Sequence, residues 1–143
     1  MKFGFTGTRK GCTTEQITAL RALMRGFTEA SIFGHGDCVG ADADAHKIVR
    51  EVSAARIILH PPTKGDLRAY CKADEERTPA PYLVRNRHIV DEADVLIACP
   101  AGPETSSGGT WSTVRYARRH NVEHIVIMPN GGIERVRAKP AAS

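Results

Sequence analysis

A chain of 143 residues, 41% hydrophobic and 25% charged, has the size of one domain and the balance of an ordinary globular protein. No apolar run nears the roughly 20 residues that span a bilayer and no secretory leader pattern is present, so no membrane association and a cytoplasmic location are expected. Of the net charge of +4, half sits on residues 131–143, where Arg135, Arg137 and Lys139 face only Glu134; the small remainder argues against a nucleic-acid partner.

Lys2 to Thr6 reads as a first strand, and Gly7-Thr8-Arg9-Lys10-Gly11 follows at its carboxyl end. A tight glycine turn there lets backbone amides approach a phosphate, with Arg9 adding a charged fork, although alone it is equally a plain strand-to-helix loop. Thr13 with Gln16 makes a capping-box pattern, and Ile17, Leu20, Met24 and Phe27 then fall on one helical face. Ser31 to Phe33 is a short second strand that runs into the glycine-rich turn Gly34 to Asp42, with a helix over Ala43 to Val52. The spacing is not the dinucleotide fingerprint G-x-G-x-x-G. Ala55 to His60 is a third strand, ended by Pro61-Pro62. Thr63 to Thr78 crowds charged residues together, which places it on the surface as a loop or frayed helix, either a solvated connection or a lid.

The most informative stretch runs from Tyr82 to Ala117. Pro81 suits a first helical turn, and Val84, His88, Ile89 and Glu92 to Ala93 alternate at roughly helical spacing. Val95 to Cys99 is an apolar run between Asp94 and Pro100, as expected of a parallel strand covered on both faces. After a loop over Ala101 to Gly109 a helix restarts near Thr110, with Trp111, Val114 and Ala117 on one side. The amides of Gly108, Gly109 and Thr110 then sit at a helix N-terminus, where unpaired N–H groups and the dipole favour an anion. Arg115, Arg118, Arg119 and His120 complement the dipole at the other end, and Asn121 suits the stop. Val122 to Met128 is a fifth strand. From Gly131 the chain has little to bury, giving a domain over residues 1–130 and an expected mobile tail over 131–143.

Arg85 nine residues before Asp94, then the strand, Pro100 and Gly109-Thr110 at a helix start, together resemble the SLOG superfamily, named for the DNA-processing protein A (Smf) and LONELY GUY families. The closer likeness is to its small stand-alone members in phage and bacterial genomes. Gly7-Thr8-Arg9 resembles the Gly-Ser-Arg turn of the DNA-processing branch. Gly36, Gly40, Ala41 and Asp42 resemble the loop that SLOG proteins place beside the ligand, where Asp42 accepts hydrogen bonds from a ribose or caps the helix. The alternation of strands and helices gives an α/β fold, a single Rossmann-like, doubly wound domain with helices on both faces. The resemblance implies a five-stranded parallel sheet of order 3-2-1-4-5, with the switch point between strands 1 and 4. It also implies a nucleotide or nucleotide-derived small molecule, and assembly as a homodimer or higher homo-oligomer. The ligand would contact Gly7, Thr8, Arg9, Gly36, Gly40, Ala41, Asp42, Arg85, Asn86, Ser107, Gly108, Gly109, Thr110 and Trp111, with Trp111 near the base or ribose.

In the LONELY GUY branch the loop reads P-G-G-x-G-T-x-x-E, and the upstream Arg with that Glu cleaves the N-glycosidic bond of nucleoside 5'-monophosphates. Arg85 matches the Arg, but Thr113 stands where the family has Glu, and the loop from Pro100 to Gly109 is longer. A threonine cannot stabilise an oxocarbenium-like centre or accept a proton at neutral pH as a carboxylate does. Glu104, in the lengthened loop, either substitutes or is merely solvent-exposed. Three functions therefore stand: a nucleotide sensor or sequestering module, a nucleotide N-glycosidase using Arg85 with Glu104 or Asp42, and a single-stranded DNA binder, which would want a basic groove with several aromatics. The missing carboxylate favours the first. Cys12, Cys38, Cys71 and Cys99 are scattered with no C-x-x-C pair, so neither disulfides nor a metal site is expected, and no cofactor.

Overall fold

The computed structural model describes residues 1–141. The elements run β1 (Lys2–Gly7), α1 (Thr14–Met24), β2 (Ile32–His35), α2 (Ala41–Val52), β3 (Arg56–Leu59), β4 (Glu75–Glu76), α3 (Tyr82–Asp91), β5 (Val95–Cys99), α4 (Gly109–Arg119), β6 (Glu123–Ile127) and β7 (Ile133–Val136). They build one sheet of order β4-β3-β2-β1-β5-β6-β7, parallel except for the β6–β7 pair. Its five central strands stand in the order expected, but the sheet has seven strands rather than five.

Both additional strands are short and polar, which is why periodicity does not reveal them. β4 is held because the Asp74 carboxylate accepts the Ile57 amide (2.8 Å) and the Arg77 amide donates to Leu59 O (2.8 Å). β7 folds back on β6 after a turn in which the Met128 amide donates to Gly132 O (2.8 Å), and every one of its residues is exposed. The expected tail is therefore partly an edge strand, and beyond it the Asn121 side chain holds both backbone groups of Lys139. Ala142 and Ser143, the end of that tail, lie outside the described residues.

α1 and α2 pack together on one face of the sheet, α3 and α4 on the other. β5 shows why: Val95, Ile97 and Cys99 join the core beneath the first pair, Leu96 and Ala98 the core beneath the second. An uninterrupted apolar run is what such a doubly covered strand requires. The Thr13–Gln16 capping box is present, and the buried Gln16 also donates to Pro100 O and Ile127 O (both 2.9 Å), tying α1 to the ends of β5 and β6. Phe27 lies beyond α1, which ends at Met24, yet it enters the same core by stacking on Phe3, ring centroids 4.2 Å apart. No helix is long and apolar enough to cross a membrane among the described residues.

The charged stretch after β3 lies on the surface as a loop, as expected, interrupted by β4 and tied down by side-chain bonds. Asp37, fully buried in the turn after β2, takes the Arg68 guanidinium on Oδ2 (2.6 Å) and the Cys71 amide on Oδ1 (2.9 Å), while its carbonyl accepts the Ala69 amide (2.7 Å). The segment is thus strapped to the β2–α2 turn, and none of its residues lines the cleft described next.

Candidate functional site

The chain leaves β1 and β5 in opposite directions, so a crevice opens at their carboxyl ends. It holds a cleft of about 710 Å³ walled by the β1–α1 turn, the β2–α2 turn, the start of α3 and the β5–α4 loop.

Of the residues expected there, Gly7, Thr8, Arg9, Gly36, Asp42, Arg85, Asn86, Ser107, Gly108, Gly109, Thr110 and Trp111 line it. Gly40 and Ala41 do not. The Ala41 amide donates to Thr8 O (2.9 Å), and Gly40, at φ +92°, lies so close to the Arg9 carbonyl that any side chain would overlap it. Both residues support the β1–α1 turn from behind. Trp111 is 8% exposed, packed in the second core, and its Nε1 donates to Gly102 O (3.1 Å). It anchors the β5–α4 loop and offers little open ring.

Arg85 is the central cation. It is 5% exposed; Nη1 donates to Gly36 O and His60 O, Nε to Asn86 Oδ1 (2.8 Å), and Nη2 points to Cys38 Sγ (3.5 Å). Gly36 has to be glycine here, because a Cβ would overlap the guanidinium. Among the described residues Arg85 makes no ion pair, and Arg9 and Lys10, on the β1–α1 turn, add two more cations to the cleft lining. At the opposite wall Gly108, the N-cap of α4, supplies no capping side chain, so the first-turn amides are left open.

One carboxylate, Asp42, lines this cleft. It sits in the first turn of α2 but does not cap it; Oδ2 accepts the Cys38 amide (3.1 Å). Burial pushes its carboxyl up to about 6, against the opposite pull of the Cys38 amide and of Arg85. Glu104 is outside the lining. It is exposed and paired with Arg118 (3.1 Å) and Arg115 (3.4 Å), the Arg118 hydrogen bond holding it below the usual carboxylate range. Thr113 is buried, its hydroxyl spent on Gly109 O (2.7 Å).

Lys10, Cys38, Tyr82 and Pro100 to Pro103 also line the cleft, none of them among the ligand contacts expected from the sequence. Tyr82 was within reach of sequence reasoning: three residues before Arg85 on a helix, it shares Arg85's face.

Outside the cleft, His35, His46 and Cys71 bring three potential metal donors within 4.8 Å of one another. The imidazoles are already committed. His35 Nδ1 accepts the Asp37 amide (2.9 Å), so its proton is on Nε2 and is given to His46 Nδ1 (2.9 Å), which leaves the proton of the neutral His46 on Nε2. Wired this way, neither ring offers a ligand lone pair.

No family model and no curated protein matches the chain. Solved structures do match. The molybdenum cofactor binding protein of Rippkaea orientalis superposes with a TM-score of 0.68 at 22% identity, over 89% of this chain and 76% of that one. TM1055 gives 0.66 at 18% identity, over 92% and 76%. DNA processing protein A of Helicobacter pylori gives 0.61 at 20% identity, over 88% and 64%. All three are members of the SLOG superfamily, and what they share with this chain is the fold, the Rossmann-like arrangement that places the cleft at the β1–β5 switch point.

Proposed function

We propose that the cleft binds a nucleotide or nucleotide-derived ligand through its phosphate, and that the protein works as a sensor or sequestering module. The observation that carries this reading is a buried guanidinium without an ion pair among the described residues, Arg85, lining the same cleft as the open amides at the start of α4. A buried charge is costly unless an opposite charge reaches it. A phosphate seated between Arg85, Arg9 and those amides supplies one. Among the similar structures are a molybdenum cofactor binding protein and a single-stranded DNA binding protein, and both kinds of ligand carry phosphate.

A panel of nucleoside mono-, di- and cyclic phosphates is expected to shift the melting temperature and the emission of Trp111, the one tryptophan, through the loop it anchors. If neither quantity moves with any member, the reading falls. Arg85→Ala is not the clean probe, since its hydrogen bonds to Gly36 O and His60 O also hold the chain ends after β2 and β3, and it should lower stability as well as affinity. Arg9 is exposed, so Arg9→Ala should leave melting nearly unchanged while costing about 1.5–3 kcal/mol of binding, roughly tenfold or more in Kd.

The glycosidase alternative now rests on Asp42, because Glu104 is committed elsewhere and Thr113 is turned into its own helix. Nucleoside monophosphates incubated with the protein are expected to stay intact, as judged by chromatography of free base. Release of base that Asp42→Asn abolishes would replace the binder by an enzyme.

A further inference from the structure

We infer that Tyr82 is the stacking platform for the planar ring of the ligand, and that the cleft therefore selects nucleotides over phosphosugars; this rests on the phosphate reading above. Three aromatic side chains line the cleft. Phe5 is fully buried in the first core, and Trp111 is packed in the second with its indole N–H given to Gly102 O. Tyr82 alone is half-buried, at the first position of α3, and no hydrogen bond ties its hydroxyl among the described residues.

What occupies its ring is the second observation. The guanidinium of Arg9 lies 5.1 Å from the ring centroid and that of Arg85 5.2 Å. A guanidinium is planar, delocalised and weakly hydrated, and it stacks on an aromatic face much as a heterocycle does. Arg85 is locked by its hydrogen bonds, whereas Arg9 is exposed and reaches Tyr82 from the turn across the cleft. Arg9 is therefore the exchangeable group. A base takes its place on Tyr82, and the released guanidinium turns onto the phosphate. The two ligand ends then engage together, which a phosphate without a ring cannot achieve.

The test is calorimetric titration of wild type, Tyr82→Ala, Tyr82→Leu and Tyr82→Phe with AMP, GMP, ribose 5-phosphate and pyrophosphate. Base–aromatic stacking predicts that wild type binds the nucleotides about tenfold or more tightly than ribose 5-phosphate, and that Ala and Leu remove that margin. Phe should behave as wild type, and ribose 5-phosphate should be insensitive to all three changes. Leu retains apolar bulk at the helix start, so it serves if Ala does not fold. Equal affinity of wild type for AMP, GMP and ribose 5-phosphate, or a Leu variant that keeps its preference for nucleotides, overturns the stacking role and leaves the phosphate site standing. Binding of none of the four probes by wild type removes the phosphate reading, and this inference with it.

Discussion

Asp37→Ala is expected to cost about 3–5 kcal/mol of folding stability, the range found when one partner of a buried ion pair is removed. The carboxylate is fully buried, and its loss leaves the Arg68 guanidinium, 16% exposed, with only the outer Glu76 at 2.8 Å, and the Cys71 amide without its acceptor. The effect reaches the cleft. Asp37 directly follows Gly36, whose carbonyl holds Arg85, so under the proposed function the variant should bind nucleotides weakly even where it remains folded. Urea denaturation gives the stability change, and a loss under about 1 kcal/mol would mean that the 65–71 segment is secured by something other than this pair.

Acidification from about pH 6.5 to 4 should lower stability well before most carboxylates titrate. Burial pushes His60 down to about 4; burial and then the neighbouring His46 hold His35 well below its ordinary value, and burial with Arg50 lowers His46. As the pH falls through this window the unfolded chain takes up protons at these histidines before the folded chain does, so stability falls with falling pH. His60 alone accounts for a loss on the order of 3 kcal/mol. Asp42 works in the opposite sense: with its carboxyl raised to about 6, the folded chain binds that proton first, which returns a similar amount over the same interval. Three imidazoles against one carboxyl leave a net loss. Asp42→Asn should be more stable than wild type at pH 7 by up to about 3 kcal/mol and should lose stability more steeply toward pH 4. Chemical denaturation at half-unit pH steps measures both curves. A variant curve parallel to that of wild type would show that Asp42 ionises normally in the folded protein.

Asp42 is the carboxylate that lines the cationic cleft, whereas Glu104 lies outside it, paired with Arg115 and Arg118.

What the amino-acid sequence determined by itself was everything set by short-range pattern. The strand at Lys2–Thr6, the apolar run Val95–Cys99, the Thr13–Gln16 cap, the glycine turns after strands and the Gly109-Thr110 helix start each follow from neighbours within a few positions, and together with the resemblance they gave the order of the five central strands and the place of the cleft. Tertiary structure decided what depends on partners far along the chain. Glu104 was drawn out of the cleft by two arginines on α4, Gly40 and Ala41 became the backing of the Arg9 turn, and Tyr82 entered the site because α3 crosses the cleft beside Arg9. Asp37 looked like one more turn residue until Arg68, 31 positions later, paired with it. β4 and β7 carry no apolar pattern of their own, because an edge strand is held by backbone hydrogen bonds to a neighbour already in place, and those bonds leave no mark on which side chains the strand must have.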